Sequence, residues 1–154
     1  MVSETLTTFV LTIFGGVSIY VLGQIFLKFF IEPVHELLQI IGKIGDILIF
    51  YANVYTNTVI DAEKNREAND KLRKHASLLK SKSHLVKWHG LFSCLGFIPS
   101  KENIHEAHIN LIGISNTTPN SSSQCVQNMR KRQLIESLLR LSNKPVSSVD
   151  PIDE

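Results

Sequence analysis

Between Glu4 and Lys28 the chain carries no charged side chain, and residues 9–31 read FVLTIFGGVSIYVLGQIFLKFFI. At 1.5 Å of rise per residue, such a helix is long enough to cross a hydrocarbon core of ~30 Å. Everything that follows has to fold as something tethered to a bilayer. A secretory signal would need a basic leading segment, a shorter apolar core and a small-residue cleavage site. Residues 1–8 contain no Lys or Arg, and no A-x-A pattern follows, so the stretch reads as an uncleaved transmembrane helix behind a short tail (1–8). Lys28 and Lys43 come after the span and no base comes before it. The positive-inside asymmetry therefore places the N-terminus outside and the C-terminal part in the cytosol, as expected of a single-pass protein of a bacterial inner membrane.

The span is not uniformly apolar. Thr12, Gly16, Tyr20, Gln24 and Lys28 recur at every fourth position, and Gly15, Ser18 and Gly23 add small side chains. Small and polar residues in lipid mark helix–helix contacts, because backbones approach there and amides find partners. An intramembrane Gln and Lys are expected to face a partner helix or a watery pore. The row Thr12, Gly16, Tyr20, Gly23, Gln24 and Lys28 thus predicts self-association; a lone anchor tolerating a few polar groups is the alternative.

Pro33 can begin a fresh helix, since its missing N–H does no harm in a first turn. Val34, Leu37, Ile41, Ile44, Leu48, Tyr51 and Tyr55 then alternate gaps of three and four, an a/d heptad pattern. Glu36, Lys43 and Asp46 argue against a second span, at ~2.5–3.5 kcal/mol per charge near a span centre. Residues 33–56 are expected to form an amphipathic juxtamembrane helix. Its seam (Val34, Leu37, Ile41, Ile44, Leu48, Tyr51) could bind sister subunits, the rest of its own domain, or the inner leaflet. Sister copies are the favoured partner, because parallel anchors would hold the seams at high effective concentration.

Residues 58–142 are expected to be a small helical cytosolic domain, and 143–154, with two prolines, serines and acids, a disordered tail. Residues 56–58 (TNT) read as a break and N-cap. Residues 61–84 form a charged helix with a narrow stripe of Ala68, Leu72, Ala76 and Leu79. Residues 85–97 read as a short packed helix ending near Gly96, a natural position beyond a C-cap. Ser100 is expected to cap a helix with Ile104, Ala107, Leu111 and Ile114 on its buried face. After a polar loop (115–123), a last helix over 124–142 should bury Leu134, Leu138 and Leu141. No segment alternates as a strand does, so the fold class is all-α.

The soluble part offers little chemistry. With Cys94 and Cys125 alone, neither a disulfide framework nor a cysteine zinc site is expected. His105-Glu106-Ala107-His108 misses the HExxH spacing and reads as surface histidines. P-loop, G-x-G-x-x-G and G-x-S-x-G signatures are absent, and no enzyme or cofactor is expected. What stands out is a basic run, Lys71, Arg73, Lys74, Lys80, Lys82 and Lys87, with no acid among them. It reads either as a solvated face or as a site for anionic lipid, nucleotide or nucleic acid, with Trp88 available for stacking and Arg130, Lys131 and Arg132 able to complete it.

The segments LGFIPSKENI (95–104), LIGISN (111–116) and EPVHEL (32–37) resemble a recurrent pattern in small bacterial single-span proteins to which no activity attaches. The layout of anchor plus small domain is similar to membrane effectors of bacterial anti-phage systems, including nucleotide-gated and DNA-gated channels such as the Hailong effector. That similarity implies an oligomeric effector or ion channel controlled by its cytosolic helices. The alternative is a non-conducting adaptor that recruits an operon-encoded protein partner or anionic lipid.

Overall fold

The computed structural model describes residues 2–56, 62–117 and 121–141, and these are all-helical. The tail 143–154, most of the 56–58 break and part of the 115–123 loop lie outside the described residues.

One rod dominates. Helix α1 (Val2–Phe26) passes through a π-helical turn (Leu27–Ile31) into α2 (Glu32–Phe50). The stretch Glu4–Phe50 is a single 47-residue helix, long and apolar enough to cross a membrane. Pro33 does not interrupt it, which corrects the expectation of a separate helix. Proline cannot donate to the carbonyl four residues back, and its ring crowds that carbonyl. The widened turn just ahead absorbs the misfit: the Glu32 N–H bonds back to Leu27 O, five residues away. Pro33 sits in the first turn of α2, and Ile31 before it is already helical (φ −84°, ψ −45°). The rod ends at Tyr51 (φ −96°, ψ 17°), and α3 (Ala52–Thr56) restarts beyond it, so the expected 33–56 helix is two pieces.

The lower half of the rod is the spine of the core. Helices α4 (Ala62–Leu85) and α6 (Lys101–Ser115) pack on each other, α2 packs on α4, and α7 (Ser122–Leu138) closes over α6 and α3. Leu37, Ile44 and Leu48 are completely buried, with Val34, Ile41 and Tyr51 nearly so. They meet Ala68, Leu72, Ala76 and Leu79 of α4, all at zero exposure, and Ile104, Ala107, Leu111 and Ile114 of α6. The heptad face is therefore occupied by the chain's own helices. As a seam between subunits, Val34, Leu37, Ile41, Ile44, Leu48 and Tyr51 are corrected: the narrow stripe of α4 covers them, its alanines letting the backbones approach closely.

Local chemistry sets the element ends. Ser100 caps α6, its Oγ accepting from the Asn103 N–H at 3.1 Å, and Ser121 caps α7 in the same way. Gly96 lies at φ 82° beyond helix α5 (His89–Cys94), where Phe97 N–H bonds to Phe92 O and Gly96 N–H to Ser93 O, a Schellman closure. Arg140 takes the same left-handed position after α7 (φ 57°), its guanidinium donating to Gly96 O at 2.8 Å. The buried face of α7 carries Cys125, Asn128 and Ile135, continued by Leu139; Leu134, Leu138 and Leu141 are only partly buried. The expected packed helix over 85–97 is one short turn with one side open: Val86, His89 and Ile98 are buried while Leu85, Trp88, Leu91, Leu95 and Phe97 are exposed.

Candidate functional site

Two regions hold polar chemistry that the fold leaves open. The first is the upper rod. Every described side chain from Glu4 to Phe26 is exposed. Thr12 directs its hydroxyl to Thr8 O at 2.8 Å, and Ser18 to Phe14 O at 2.7 Å, so these groups are satisfied along their own helix. Gln24 and Lys28 have no such partner among the described residues. They line a surface groove of about 580 Å³ with Ile25, Leu27, Phe29, Ile31, Glu32 and His35, which follows the π turn. Gly16, Tyr20 and Gly23 lie on the same exposed helix, and nothing approaches within 4 Å of a Cβ built at Gly16 or Gly23. The row is thus exposed throughout, winding slowly around the helix, and π turns recur at functional sites.

The second region divides the basic run. Lys71 lies 2.7 Å from Glu67 Oε1 and donates to the Tyr51 hydroxyl at 2.7 Å, which donates to the same carboxylate at 2.9 Å. This knot ties the end of α2 to α4. Bonding to Lys71 and then to Tyr51 holds the Glu67 carboxyl below its usual range, and the Glu67 partner raises Lys71. Arg73 donates to Asn116 Oδ1 at 2.8 Å and to Ser115 O, closing the C-terminus of α6. Lys82 pairs with Glu36 at 2.8 Å, joining α4 to α2. Arg132 pairs with Glu136 at 2.8 Å, and the Lys131 ammonium would stand 3.2 Å from a Cβ at Gly113. Lys74 and Arg130 are exposed. Lys71, Arg73, Lys82 and Arg132 thus serve as structural fasteners, and α7 packs on α6 and α3, so Arg130–Arg132 are not drawn into the α4 run.

Lys80 is different. It opens into a cleft of about 210 Å³ between α4 and α6, lined also by Ser83, His84, Lys101, Ile104, His105 and His108. Two ammonium groups and three imidazoles border this space, and no carboxylate does. Ser83 donates its hydroxyl to Lys80 O at 2.8 Å, and His108 places Nδ1 2.9 Å from Ala76 O, leaving Nε2 for another partner. Among the described residues no three His, Cys, Asp or Glu side chains are grouped so as to hold a metal ion. A cation-rich cleft without acids suits a small anion such as a phosphoryl group. Sequence reading singled out Lys80 but set His105 and His108 aside as surface residues. The signal for them was their spacing of three, which puts both on the α6 face opposite Lys80 and His84.

Lys87 and Trp88 leave the run altogether and turn toward the rod. Lys87 Nζ lies 5.1 Å from the Phe29 ring centre, and Trp88 meets Phe30 edge-on at 5.7 Å.

No family profile, no curated protein and no solved structure matches this chain.

Proposed function

We propose that this chain is a single-span protein of a bacterial inner membrane that self-associates through its span and acts there as an effector of the channel type, controlled from its cytosolic helical domain. The observation that carries this reading is the unbroken helix Glu4–Phe50. Its upper half presents Gln24 and Lys28 to a partner, and its lower half is locked into the domain core. The π turn at Leu27–Ile31 carries the helix past Pro33 without a break, so a tilt of α2 within that core is a tilt of the span.

The ligand that biases such a movement is an anion held by Lys80, Lys101, His84, His105 and His108. Its cleft lies between α4 and α6, the two helices that pack the core behind α2. An anion drawing them together changes the seat of the rod. Conduction along the Thr12, Gly16, Tyr20 and Gln24 row requires several copies, since one helix encloses nothing.

A second reading is favoured by one finding. The heptad face is buried inside the protomer, so the assembly driver expected from sequence is gone. A non-conducting adaptor, anchored by the span and recruiting a partner, needs no assembly. The two readings separate on mass and current. Native mass spectrometry from lipid nanodiscs gives a defined oligomer for the effector, and purified protein raises the conductance of planar bilayers. A monomer that passes no current removes the effector reading and leaves the adaptor.

A further inference from the structure

We infer that the turn around α5 is a second membrane contact, an apolar foot that lies in the bilayer surface beside the exit of the span. The inference rests on the membrane reading of α1. Leu85 (54% exposed), Trp88 (66%), Leu91 (49%), Leu95 (60%) and Phe97 (63%) crowd one short segment with their apolar surface open. Trp88 and Leu95 flank the short helix His89–Cys94 that carries Leu91, and all three are exposed. The opposite side is anchored, with His89, Val86 and Ile98 buried and Phe92 packed on the core. The element is thus fixed to the domain on one face and uncovered on the other.

Its position says what covers it. Trp88 stands edge-on against Phe30 and Lys87 over Phe29, where the uncharged stretch of the rod ends. Phe29 and Phe30 mark the level of the cytosolic interface, so the foot is at headgroup depth. Tryptophan favours that depth because its ring is apolar and its N–H wet. Lys87 sets its ammonium over the Phe29 ring at the same level. From Lys71 to Lys101 there is no Asp or Glu, so the foot itself brings no acid to the anionic leaflet. The backbone is bent to make the arrangement: Trp88 sits at φ 61°, a left-handed conformation rare for a bulky residue. Such an outlier points to a role for the side chain it aims. With the rod crossing the bilayer and the foot lying on it, the domain has two attachments and a fixed tilt.

Trp88 is the only tryptophan, which makes the full chain its own reporter. In nanodiscs containing lipid brominated near the headgroup end of its acyl chains, Trp88 emission is expected to fall roughly twofold, as for a group 5–10 Å deep. Leu91→Asp with Leu95→Asp, both at exposed positions, restores most of that emission. A companion protein, Trp88→Phe with Tyr20→Trp, reports the span in nanodiscs whose lipid is brominated near the chain ends, at the depth of position 20. Quenching at position 20 but not at Trp88, with Trp88 open to aqueous iodide, overturns the foot and leaves the span standing. Quenching at neither position overturns the membrane reading and the foot with it.

Discussion

Replacing Ile44 by alanine separates a core face from a subunit interface. Ile44 is completely buried among Leu37 and Leu48 of its own helix and the apolar stripe of α4. The substitution removes three carbons, about 2.4 kcal/mol at ~0.8 kcal/mol per methylene. A cavity that closes incompletely raises the total to about 3–4 kcal/mol, within the usual range for such truncations. Against a domain stability of roughly 5–15 kcal/mol this is a large fraction, yet the fold survives. Hydrogen exchange on the full chain in nanodiscs reads it directly. Amides of α4 between Ala68 and Leu79 that exchange by global opening should lose about two to three orders of magnitude of protection. The loss should be the same after tenfold dilution of protein in lipid, because the contact lies within one chain. Unchanged α4 protection in a variant whose assembly mass drops would refute the reasoning and restore Ile44 to a subunit seam.

Three further outcomes are expected. Gln24→Leu with Lys28→Leu removes the span's unpartnered polar groups; at ~0.6–2 kcal/mol per interhelical hydrogen bond, dissociation in liposomes should rise roughly tenfold by energy transfer, and an unchanged value would detach the row from assembly. Lys80→Gln with Lys101→Gln should weaken binding of ATP, used as a phosphate probe, by about tenfold or more and flatten its salt dependence; equal affinity in both proteins would empty the cleft of its role. Burial, and then Lys101, depress His89 below the ordinary histidine value of 6.5 while Glu102 opposes them, so its folded form resists protonation. Stability is therefore full above that value and declines as pH falls through it toward the depressed one; His89→Phe should lessen the loss between about pH 7 and pH 5, and identical acid slopes would contradict it.

Much of this architecture was legible because burial leaves a period in sequence. The four-residue stripe Ala68, Leu72, Ala76, Leu79 and the face Ile104, Ala107, Leu111, Ile114 are buried as spaced, and Ser100 and Gly96 end their elements by local chemistry. Periodicity reports that a face is covered, not by what. The heptad of α2 has the spacing of a coiled coil, but an antiparallel helix of the same chain satisfies it as well. Pro33 suggested a break because the π turn that accommodates it leaves no sequence signature. In α7 the expected face was one position out, since Asn128 is buried by bonding to Tyr55 O and Thr117, which hydropathy does not foresee. The basic run was legible as charge alone. Its division into fasteners, a cleft and a pair set against the rod depends on contacts with Glu36, Asn116 and Phe29, far away in sequence.

Whether span and core are one rigid helix is open to a single distance. Spin labels at Ser18→Cys and Lys43→Cys, both exposed positions, lie twenty-five residues apart along the rod. With Cys94 and Cys125 replaced and labelled protein diluted in unlabelled, pulsed dipolar spectroscopy in nanodiscs should give a narrow backbone separation near ~37 Å, at ~1.5 Å per residue. A broad or markedly shorter distribution would mean a hinge at Pro33, and the domain could then no longer move the span.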